Sequence, residues 1–341
     1  MRIIVTGANG YLGRHTVSAL VAAGHEVVAL CRKSSSSEEV RALGAQVRFG
    51  DVTDPGSLAD AFAGSTHLVH AAGFVSRDPK DAEALYDVHV TGTKQVLAAA
   101  KGAGIARALV ISTSGTVAVS TDPDCIANER NEAPIALLQR WPYYRAKLFA
   151  ERAAFEARAG VTEGRTGFEV ACLNPTLLLG PGDVNGSSTE DVRLFLEGRV
   201  PFVPPGGISF VDVRDVAACI PTALTRARDG QRYLLGACNL TIREFFGRLE
   251  RASGVKAPVL PLPRAPELAR TGMLLLESAM DRLGMRMPVD PISADMAQHF
   301  WYLDATLAEN ELGFAPRDPQ ETLYDTIVDL RRRGVVWPEE T

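Results

Sequence analysis

The sequence predicts an α/β fold, a doubly wound parallel sheet followed by a smaller C-terminal lobe. Short apolar runs alternate with helical patterns through the first half of the chain. The runs are rich in valine, isoleucine and leucine and lack polar alternation, which is typical of parallel strands covered on both faces. After residue 175 the spacing loosens into segments rich in glycine and proline, which indicates loops and a less regular lobe.

The predicted strands and helices alternate in order along the chain. The strands cover residues 3–6, 27–31, 47–49, 67–70, 108–112 and 169–173, and the helices cover residues 13–23, 37–43, 57–62, 82–100 and 144–159. Strands that recur with helices between them belong to one parallel sheet. We therefore expect residues 1–175 to form the sheet domain, to which the chain returns near residues 209–230. Residues 176–341 should form mainly the second lobe, where loops usually set substrate specificity.

Composition argues against several classes of protein. The formal charge of −5 and the pI near 5.8 argue against a nucleic-acid partner, which needs a concentrated basic face. No segment offers the ~20 apolar residues of a membrane span, and the N-terminus lacks a signal-peptide pattern. The five cysteines have no CxxC spacing, so we expect free thiols, no metal site and a cytoplasmic protein.

A glycine pattern follows the first strand directly and opens the first helix. The first glycine allows a tight turn, the second lets the backbone approach a pyrophosphate, and the third allows close packing of helix on strand. Free N–H groups and the positive end of the helix dipole then bind the anion. The turn therefore predicts a dinucleotide site. Its expected contacts are Gly7, Asn9, Gly10, Tyr11, Leu12 and Gly13.

Two cations follow the second strand. A protein that binds NAD normally has Asp or Glu there to bind the ribose 2′-hydroxyl. This chain has Arg32 and Lys33 instead. Because two cations attract a 2′-phosphate, we expect NADP(H) as the cofactor, with ordinary solvated charges as the alternative interpretation.

Small and acidic residues at two further strand ends are candidate cofactor contacts. Asp51 and Val52 follow the third strand, where a carboxylate and a backbone group can reach the adenine ring. An aspartate that only forms a turn is the alternative. Ala71, Ala72 and Gly73 end the fourth strand and leave room for a dinucleotide to cross the sheet edge, although tight packing would explain the alanines equally well.

Tyr143 and Lys147 are the candidate catalytic pair. They lie one helical turn apart, so their side chains share a face. A phenol has an unperturbed pKa of about 10, and a nearby ammonium stabilises the phenolate and lowers that pKa. The pair can therefore exchange a proton with a substrate oxygen, and the lysine can also reach the nicotinamide ribose.

Hydroxyl side chains close the fifth strand. One of them could donate a hydrogen bond to the reacting oxygen and orient it towards Tyr143. The register of the strand end favours Thr113, with Ser114 as the second choice. A hydroxyl that serves only as a turn or helix cap remains the alternative.

Together these features resemble the extended short-chain dehydrogenase/reductase superfamily, which is also described as the NAD-dependent epimerase/dehydratase superfamily. The resemblance covers nearly the whole chain and includes Asn-Pro-Thr from residue 174 and Gly-Pro-Gly-Asp from residue 180. These segments are most similar to the dihydroflavonol 4-reductase-like group and to hopanoid-associated sugar epimerases. One departure is His89, which replaces the asparagine of an Asn-Val-x-Gly-Thr segment. We favour a packed helix histidine over a second titrating group.

The resemblance implies a Rossmann fold and hydride transfer between C4 of a nicotinamide and a carbonyl carbon. Tyr143 would give the proton to the carbonyl oxygen, Lys147 would bind the ribose, and Thr113 would position the carbonyl. The resemblance also implies a cofactor contact at Pro175. Homodimers are frequent in the superfamily, through helices that correspond here to the fourth and fifth predicted helices.

The leading hypothesis is an NADPH-dependent reductase of a ketone or aldehyde on a small to medium hydrophobic metabolite. One alternative is a nucleotide-sugar epimerase or dehydratase with bound NAD(P), for which Arg193, Arg199 and Arg214 could bind a diphosphate. A second alternative is a non-catalytic NADP(H) sensor. The intact pair of tyrosine and lysine argues against a sensor, which needs no proton donor.

Overall fold

The computed structural model describes residues 1–158, 167–262 and 290–337. The described strands are β1 (Arg2–Thr6), β2 (Glu26–Cys31), β3 (Gln46–Phe49), β4 (His67–His70), β5 (Arg107–Ile111), β6 (Glu169–Pro175), β7 (Leu177–Leu179), β8 (Gly207–Asp212), β9 (Arg232–Leu235) and β10 (Cys238–Thr241). Seven of them form a parallel sheet in the order β3-β2-β1-β4-β5-β6-β9. The predicted doubly wound Rossmann sheet is therefore confirmed.

Helices cover the faces of this sheet and build the second lobe. The described helices are α1 (Tyr11–Ala22), α2 (Glu38–Ala42), α3 (Leu58–Phe62), α4 (Ala82–Tyr86), α5 (Gly92–Gly102), α6 (Ile135–Leu138), α7 (Pro142–Glu156), α8 (Glu190–Leu196), α9 (Val213–Arg226), α10 (Ile242–Ser253), α11 (Pro291–Met296), α12 (Thr306–Leu312) and α13 (Pro319–Arg332). One apolar cluster packs on each face of the large sheet, and a third fills the second lobe. None of the helices in the described ranges is long and apolar enough to cross a membrane.

The strand order places a crevice at the centre of the sheet. The chain moves outward from β1 to β3 on one side and from β4 to β9 on the other. Parallel α/β sheets bind ligands at such a reversal, outside the carboxyl ends of the strands. The predicted cofactor turn after β1 and the small residues after β4 therefore lie at the same edge.

The second lobe has its own small sheet. Strand β8 pairs with β7 in parallel and with β10 in antiparallel orientation. After β8, helix α9 packs against α1, and β9 joins the large sheet beside β6. The predicted lobe at residues 176–341 includes residues 263–289 and 338–341, which lie outside the described residues.

The predicted helix over residues 82–100 is confirmed, but it is not a regular α-helix throughout. A π-helical turn at Asp87–Thr91 separates α4 from α5. Both His89 and Val90 are buried, and both contact the neighbouring helix α7 through Tyr143. Single π-helical turns inside α-helices are frequent at functional sites, and this one contacts the candidate catalytic tyrosine.

Candidate active site

The glycine turn between β1 and α1 is shaped as a pyrophosphate cradle. Gly7 has a φ of +68°, and a Cβ added there would lie 2.6 Å from the carbonyl oxygen of Ala71. A Cβ on Gly13 would lie 2.0 Å from the carbonyl oxygen of Gly7. Gly10 begins α1 without a side-chain cap, so the first N–H groups of the helix remain available to an anion. The turn fits the predicted dinucleotide.

The side chains of Tyr11 and Leu12 point away from this cradle. The Tyr11 hydroxyl donates to the carbonyl oxygen of Gly180 at 2.9 Å, and both side chains are buried. Burial raises the pKa of Tyr11 well above its usual value, and Asp183 adds to the effect. These two residues can therefore offer backbone groups to a cofactor, while the Tyr11 side chain ties the helix to Gly180 and the Leu12 side chain packs in the apolar core.

The exposed edge of the crevice beyond β2, here called the rim, carries the two predicted cations. Arg32 and Lys33 are both exposed directly after the strand. Asn9 reaches this rim, because its amide donates to the carbonyl oxygen of Ser36 at 3.3 Å. The arrangement leaves two positive charges at the mouth of the crevice, on the side where β2 ends.

Asp51 stabilises the turn that follows β3. Its Oδ1 accepts hydrogen bonds from the backbone N–H of Thr53 at 2.9 Å and from the Thr53 hydroxyl at 2.8 Å. This is the turn-forming role that the sequence left as an alternative. Val52 is half-buried and packs close to Gly92, where an added Cβ would lie 3.1 Å from it.

The residues after β4 leave an opening at the sheet edge. The Ala71 N–H donates to the Thr6 carbonyl at 3.2 Å and the Ala72 N–H to the Thr6 hydroxyl at 3.3 Å. Both alanines are half-buried and Gly73 is exposed. A Cβ on Gly73 would lie 2.4 Å from Cε1 of His89, so the imidazole itself requires glycine at this position.

Tyr143 and Lys147 lie on α7, where Tyr143 contacts the ring of His89 and Lys147 faces the end of β5. The ammonium of Lys147 donates to the carbonyl oxygen of Ile111 at 2.9 Å. Burial lowers the pKa of Lys147 to about 8. Burial also raises the pKa of Tyr143, and the neighbouring Tyr144 adds to this shift.

The expected lowering of the Tyr143 pKa by Lys147 is not seen in this structure. Desolvation of the phenol dominates, and the ammonium is engaged by a backbone carbonyl. The phenol is thus held in its protonated form, which is the form that donates a proton.

The hydroxyl cluster after β5 divides into three different environments. The Thr113 hydroxyl accepts from the Gly115 N–H at 3.4 Å and lies 3.5 Å from the carbonyl oxygen of Pro175, to which it donates. Pro175 ends β6 and is buried. Ser114 is buried at the start of a 3₁₀ turn. The buried Ser112 hydroxyl has no hydrogen-bond partner among the described residues.

A buried carboxylate below the catalytic pair was not predicted from the sequence. Glu151 is 1% exposed and lies one turn beyond Lys147 on α7. Its Oε2 accepts from the amide of Asn174 at 2.6 Å, and its Oε1 is 2.7 Å from Nη2 of Arg232. This network ties α7 to β6 and β9. The signal was present, because a position four residues after Lys147 shares its helix face.

An aromatic cluster beside Tyr143 was also not predicted from the sequence. The ring of Tyr144 packs on Tyr143 at 5.1 Å between centroids and on Trp301 at 4.9 Å. Trp141 contacts Trp301 at 5.3 Å. A Cβ on Gly115 would lie 2.3 Å from the Tyr144 ring, so this glycine permits the packing. Trp301 is far away in sequence, and no local pattern connects it to α7.

The arginines proposed for a diphosphate in the second lobe are already paired. Arg193 contacts the carboxylates of Glu190 and Glu197, at 2.6 and 2.5 Å. Arg199 contacts Glu197 at 3.1 Å. The third arginine contacts two aspartates. Arg214 lies 2.7 Å from Asp212 and 2.6 Å from Asp325.

Comparison with known proteins gives one matching family and three relatives that align over nearly the whole chain. A family model described as the NAD dependent epimerase/dehydratase family matches residues 3–236. The chain is 31% identical to sterol demethylase protein B of Methylococcus capsulatus, over 98% of this chain and 100% of that protein. It is 32% identical to a Synechocystis protein provisionally named dihydroflavonol 4-reductase, over 97% and 95%. It is 30% identical to the 4-hydroxy-2-methyl-3-oxo-4-farnesyl-3,4-dihydroquinoline-1-oxide ketoreductase of Stigmatella aurantiaca, over 98% and 97%.

The solved structure of a protein named gox2253 has the same fold. It superposes with a TM-score of 0.82 and 26% identity, and the match covers 98% of this chain and 99% of that one. The family match begins in β1 and ends directly after β9, so it spans the sheet and the glycine turn. The chain therefore belongs to the NAD-dependent epimerase/dehydratase family of extended short-chain dehydrogenases/reductases, and it is an oxidoreductase with a nicotinamide cofactor.

Proposed function

We propose that this chain reduces a ketone or aldehyde on a small to medium hydrophobic metabolite, with NADPH as the hydride donor. The observation that carries the proposal is a contrast in charge. Arg32 and Lys33 are exposed at the end of β2, whereas Arg193, Arg199 and Arg214, the candidate diphosphate ligands of the second lobe, contact carboxylates. The chain is therefore suited to bind the extra phosphate of the cofactor and poorly suited to bind the diphosphate of a nucleotide sugar.

The cofactor-binding residues follow from the crevice. The cradle at Gly7, Gly10 and Gly13 would hold the pyrophosphate, and Arg32 with Lys33 would hold the 2′-phosphate. Two further groups of residues would lie along the same edge. The small residues 71–73 would border the nicotinamide half, with Pro175 opposite, and residues 51–52 would border the adenine.

The chemistry assigned to the chain is proton donation and charge stabilisation. Bound NADPH would supply the hydride that reaches the carbonyl carbon. As negative charge develops on the carbonyl oxygen, Tyr143 would transfer its proton to that oxygen, because the alkoxide is a much stronger base than the phenolate. Lys147, one turn away on the same face of α7, would stabilise the phenolate and contact the cofactor ribose.

The hydroxyl that orients the carbonyl is proposed to be Thr113, with Ser114 as the alternative. The contacts of the Thr113 hydroxyl with Gly115 and Pro175 are long, at 3.4 and 3.5 Å, and Thr113 is less buried than Ser114, which supports Thr113. Thr113 and Ser114 are each replaced by alanine. The replacement of the residue that contacts the substrate should reduce kcat/KM by about tenfold to a hundredfold, and the other replacement should not. Thr225→Ala, which removes an exposed hydroxyl, is the matched control.

The relatives support a hydrophobic carbonyl substrate. The Stigmatella relative is named as a ketoreductase of a 3-oxo compound with a farnesyl chain, and the Methylococcus relative is named for sterols. The aromatic cluster of Tyr144 and Trp301 beside Tyr143 offers apolar surface next to the reacting centre. We therefore propose a substrate with an apolar body next to its carbonyl group.

A direct assay tests the proposal. Purified protein is titrated with NADPH and with NADH, then mixed with a panel of ketones, aldehydes and nucleotide sugars. We expect tighter binding of NADPH and consumption of NADPH with a hydrophobic ketone. Conversion of a nucleotide sugar without net consumption of cofactor would establish the epimerase alternative, and binding of NADPH without any turnover would favour the sensor.

A homodimer is the assembly that we propose. Helices α4 and α7 pack together, and each exposes a large aromatic side chain: Tyr86 is 45% exposed and Phe149 is 39% exposed. Light scattering should therefore give twice the mass of the chain. Phe149→Glu should yield a monomer, and a monomeric native protein would refute the proposal.

A cytoplasmic location is proposed from the state of the cysteines. All five are free thiols, and three of them are buried. Free thiols persist in reducing compartments. Fractionation of cells that produce the protein would test this, and recovery from an oxidising compartment would contradict it.

A further inference from the structure

An arginine in the loop after β4 crosses to the second lobe. The guanidinium of Arg77 donates to both carboxylate oxygens of Asp191 on α8, at 3.0 and 2.9 Å. Its Nη1 also donates to the hydroxyl of Ser293 on α11 at 2.9 Å. Two parallel hydrogen bonds are the geometry in which a guanidinium and a carboxylate interact most strongly. Arg77 therefore holds two helices of the second lobe against the loop after β4.

The second-lobe end of this contact is continuous with the aromatic cluster beside Tyr143. Ile292 precedes Ser293 on α11 and packs in the apolar cluster that contains Tyr144 and Trp301. The carbonyl oxygen of Met296, at the end of the same helix, accepts from Nε1 of Trp301 at 3.1 Å. The helix that contacts the arginine is therefore also the helix that fixes the aromatic surface.

The first-lobe end of the contact begins beside the candidate catalytic tyrosine. The loop after β4 includes Phe74, whose ring stacks on His89 at 6.1 Å between centroids. The ring of His89 in turn contacts Tyr143 at 5.6 Å. Arg77 follows Phe74 by three residues. The ion pair therefore connects the loop next to Tyr143 with the second lobe.

Both charges of the pair act on the aromatic cluster. Burial raises the pKa of Tyr144 to about 12, while Arg77 lowers it and Asp191 raises it. The Asp191 carboxylate also raises the pKa of Arg77, so the pair stays ionised. The side chains of Arg77 and Asp191 are 31% and 39% exposed, so a ligand can reach them. The pair therefore borders the apolar surface next to Tyr143.

The two charges satisfy each other. In the ranges that the structure describes, Asp191 contacts no cation except Arg77, and Arg77 contacts no carboxylate except Asp191. Asp290 lies beyond Ser293, where it accepts from the backbone N–H of Ser293 at 2.8 Å and from its hydroxyl. The Ser293 hydroxyl therefore donates to Asp290 and accepts from Arg77. The pair itself offers no net charge to a ligand.

We propose that Arg77 and Asp191 are specificity-determining residues, which as a bidentate pair exclude substrates that carry a charge on the apolar body. The proposal rests on the proposed carbonyl reductase function, because it assigns that apolar body to the surface of Tyr144 and Trp301. A carboxylate placed there would have to displace Asp191 from Arg77 or remain without a partner, and burial of an unpaired charge is unfavourable. Removal of one partner should therefore create a subsite for the opposite charge.

Removal of Asp191 is the first test. Calorimetry measures the binding of naphthoate and of its neutral counterpart acetylnaphthalene to protein saturated with its oxidised cofactor, so that no reduction occurs. In Asp191→Ala the affinity for naphthoate should rise about tenfold to a hundredfold, the range expected for hydrogen bonds between charged groups. The affinity for acetylnaphthalene should change by less than about threefold, because an uncharged ligand gains no charged partner. The gain should disappear in the double variant Arg77→Leu with Asp191→Ala.

Removal of Arg77 is the reciprocal test. Arg77→Leu leaves the carboxylate of Asp191 without a cation among the described residues. The affinity for naphthylmethylammonium should therefore rise about tenfold, and the affinity for naphthoate should not rise. This variant tests the assignment even if Asp191→Ala does not fold. A gain for naphthoate in Arg77→Leu, or no gain for the ammonium, overturns the proposal.

Glu311→Ala is the matched control. Glu311 forms a second bidentate pair, with Arg228, at 2.9 and 2.7 Å. Arg228 precedes β9, so this pair lies at the amino-terminal end of that strand, on the edge of the sheet opposite the crevice. A cation released there has none of the aromatic cluster beside it. Glu311→Ala should therefore leave the affinity for naphthoate unchanged, and a gain equal to that of Asp191→Ala overturns the proposal.

Turnover separates this proposal from the proposed reductase function. In Asp191→Ala the ratio of kcat/KM for a carboxylate-bearing aryl ketone to that for the neutral ketone should rise about tenfold. Turnover of the neutral ketone without any gain for naphthoate in Asp191→Ala overturns the role of the pair alone. A gain that persists in the double variant also overturns it. A gain in binding that requires Arg77, without turnover of any ketone, supports the pair and refutes the reductase.

Discussion

The cations at the two candidate anion sites of this molecule differ in their pairing. At the carboxyl ends of β1, β4 and β5, buried histidines and hydroxyls are neutral, and the cations after β2 lie exposed on the rim. In the second lobe, Arg193, Arg214 and Arg317 each contact at least one carboxylate. The cations after β2 are therefore available to a ligand, whereas these three arginines hold elements of the second lobe together.

This difference separates two reactions that share one fold. Epimerases and reductases of this family share the sheet and the glycine turn, so neither feature distinguishes the two reactions. Positive charge available in the second lobe would favour a diphosphate, and paired charge there favours an apolar substrate. The contrast therefore predicts which substitutions disturb catalysis and which disturb only local stability.

The largest effect should come from Tyr143→Phe, which removes the proton donor from the first lobe. We expect kcat to fall by about a thousandfold, because general acid catalysis contributes 10²–10⁴. Affinity for NADPH, measured by fluorescence titration, should stay within about twofold. Tyr324→Phe on α13, where the side chain is 57% exposed, is the control. Retained turnover in Tyr143→Phe would remove this residue from the mechanism.

A large effect on cofactor binding should come from Gly7→Ala. The added Cβ would lie 2.6 Å from the Ala71 carbonyl oxygen, so the turn must move and its N–H donors lose their alignment. We expect NADPH affinity to fall roughly a hundredfold. Gly24→Ala is a matched control, because Gly24 has a φ of +77° and an added Cβ would have no atom of the described residues within 4 Å. It should cost about 1 kcal/mol of stability and leave affinity unchanged.

Much of the first lobe could be predicted because its signals are local. The strands follow runs of apolar residues, and the glycine spacing fixes the turn after β1. Tyr143 and Lys147 share a helix face through their spacing alone. The predicted boundaries of five of the six strands lie within one residue of those observed, and β6 extends two residues further.

The remainder depends on contacts between distant segments. Trp301 reaches Tyr144, and Arg232 reaches Glu151, across gaps that carry no periodic signal. The π-helical turn at Asp87–Thr91 was missed because its sequence continues a regular helical pattern. The ion pairs of Arg193 were not predicted either, because a sequence does not reveal whether a surface cation has a partner.

A smaller effect should come from neutralising the rim. The double variant Arg32→Ser with Lys33→Ser should weaken NADPH binding about tenfold to a hundredfold, because hydrogen bonds between charged groups are worth about 1.5–3 kcal/mol. NADH binding should change by less than about threefold. Arg199→Ser in the second lobe, where the arginine contacts Glu197, should change neither affinity. Equal losses for both cofactors would contradict the assignment of the rim to the 2′-phosphate.

The smallest effect concerns acid stability. Burial lowers the pKa of both His70 and His89 to about 3, whereas an unfolded histidine titrates near 6.5. Below pH 6.5 the unfolded chain therefore binds more protons than the folded chain, and the free energy of unfolding falls by up to about 1.4 kcal/mol per pH unit for each histidine. Burial raises the pKa of Asp212, but hydrogen bonds from Arg214 outweigh this and hold it below its usual value of 3.8, so this carboxylate loses its contribution only at lower pH.

Burial also lowers the pKa of His15, His67 and His299, so each histidine supplies only part of the slope. Urea unfolding between pH 6.5 and 5 should show a shallower slope in His89→Asn than in the native chain, and a nearly native slope in His25→Asn. A native slope in His89→Asn would mean that the unfolded state, or another group, dominates the acid sensitivity of the first lobe.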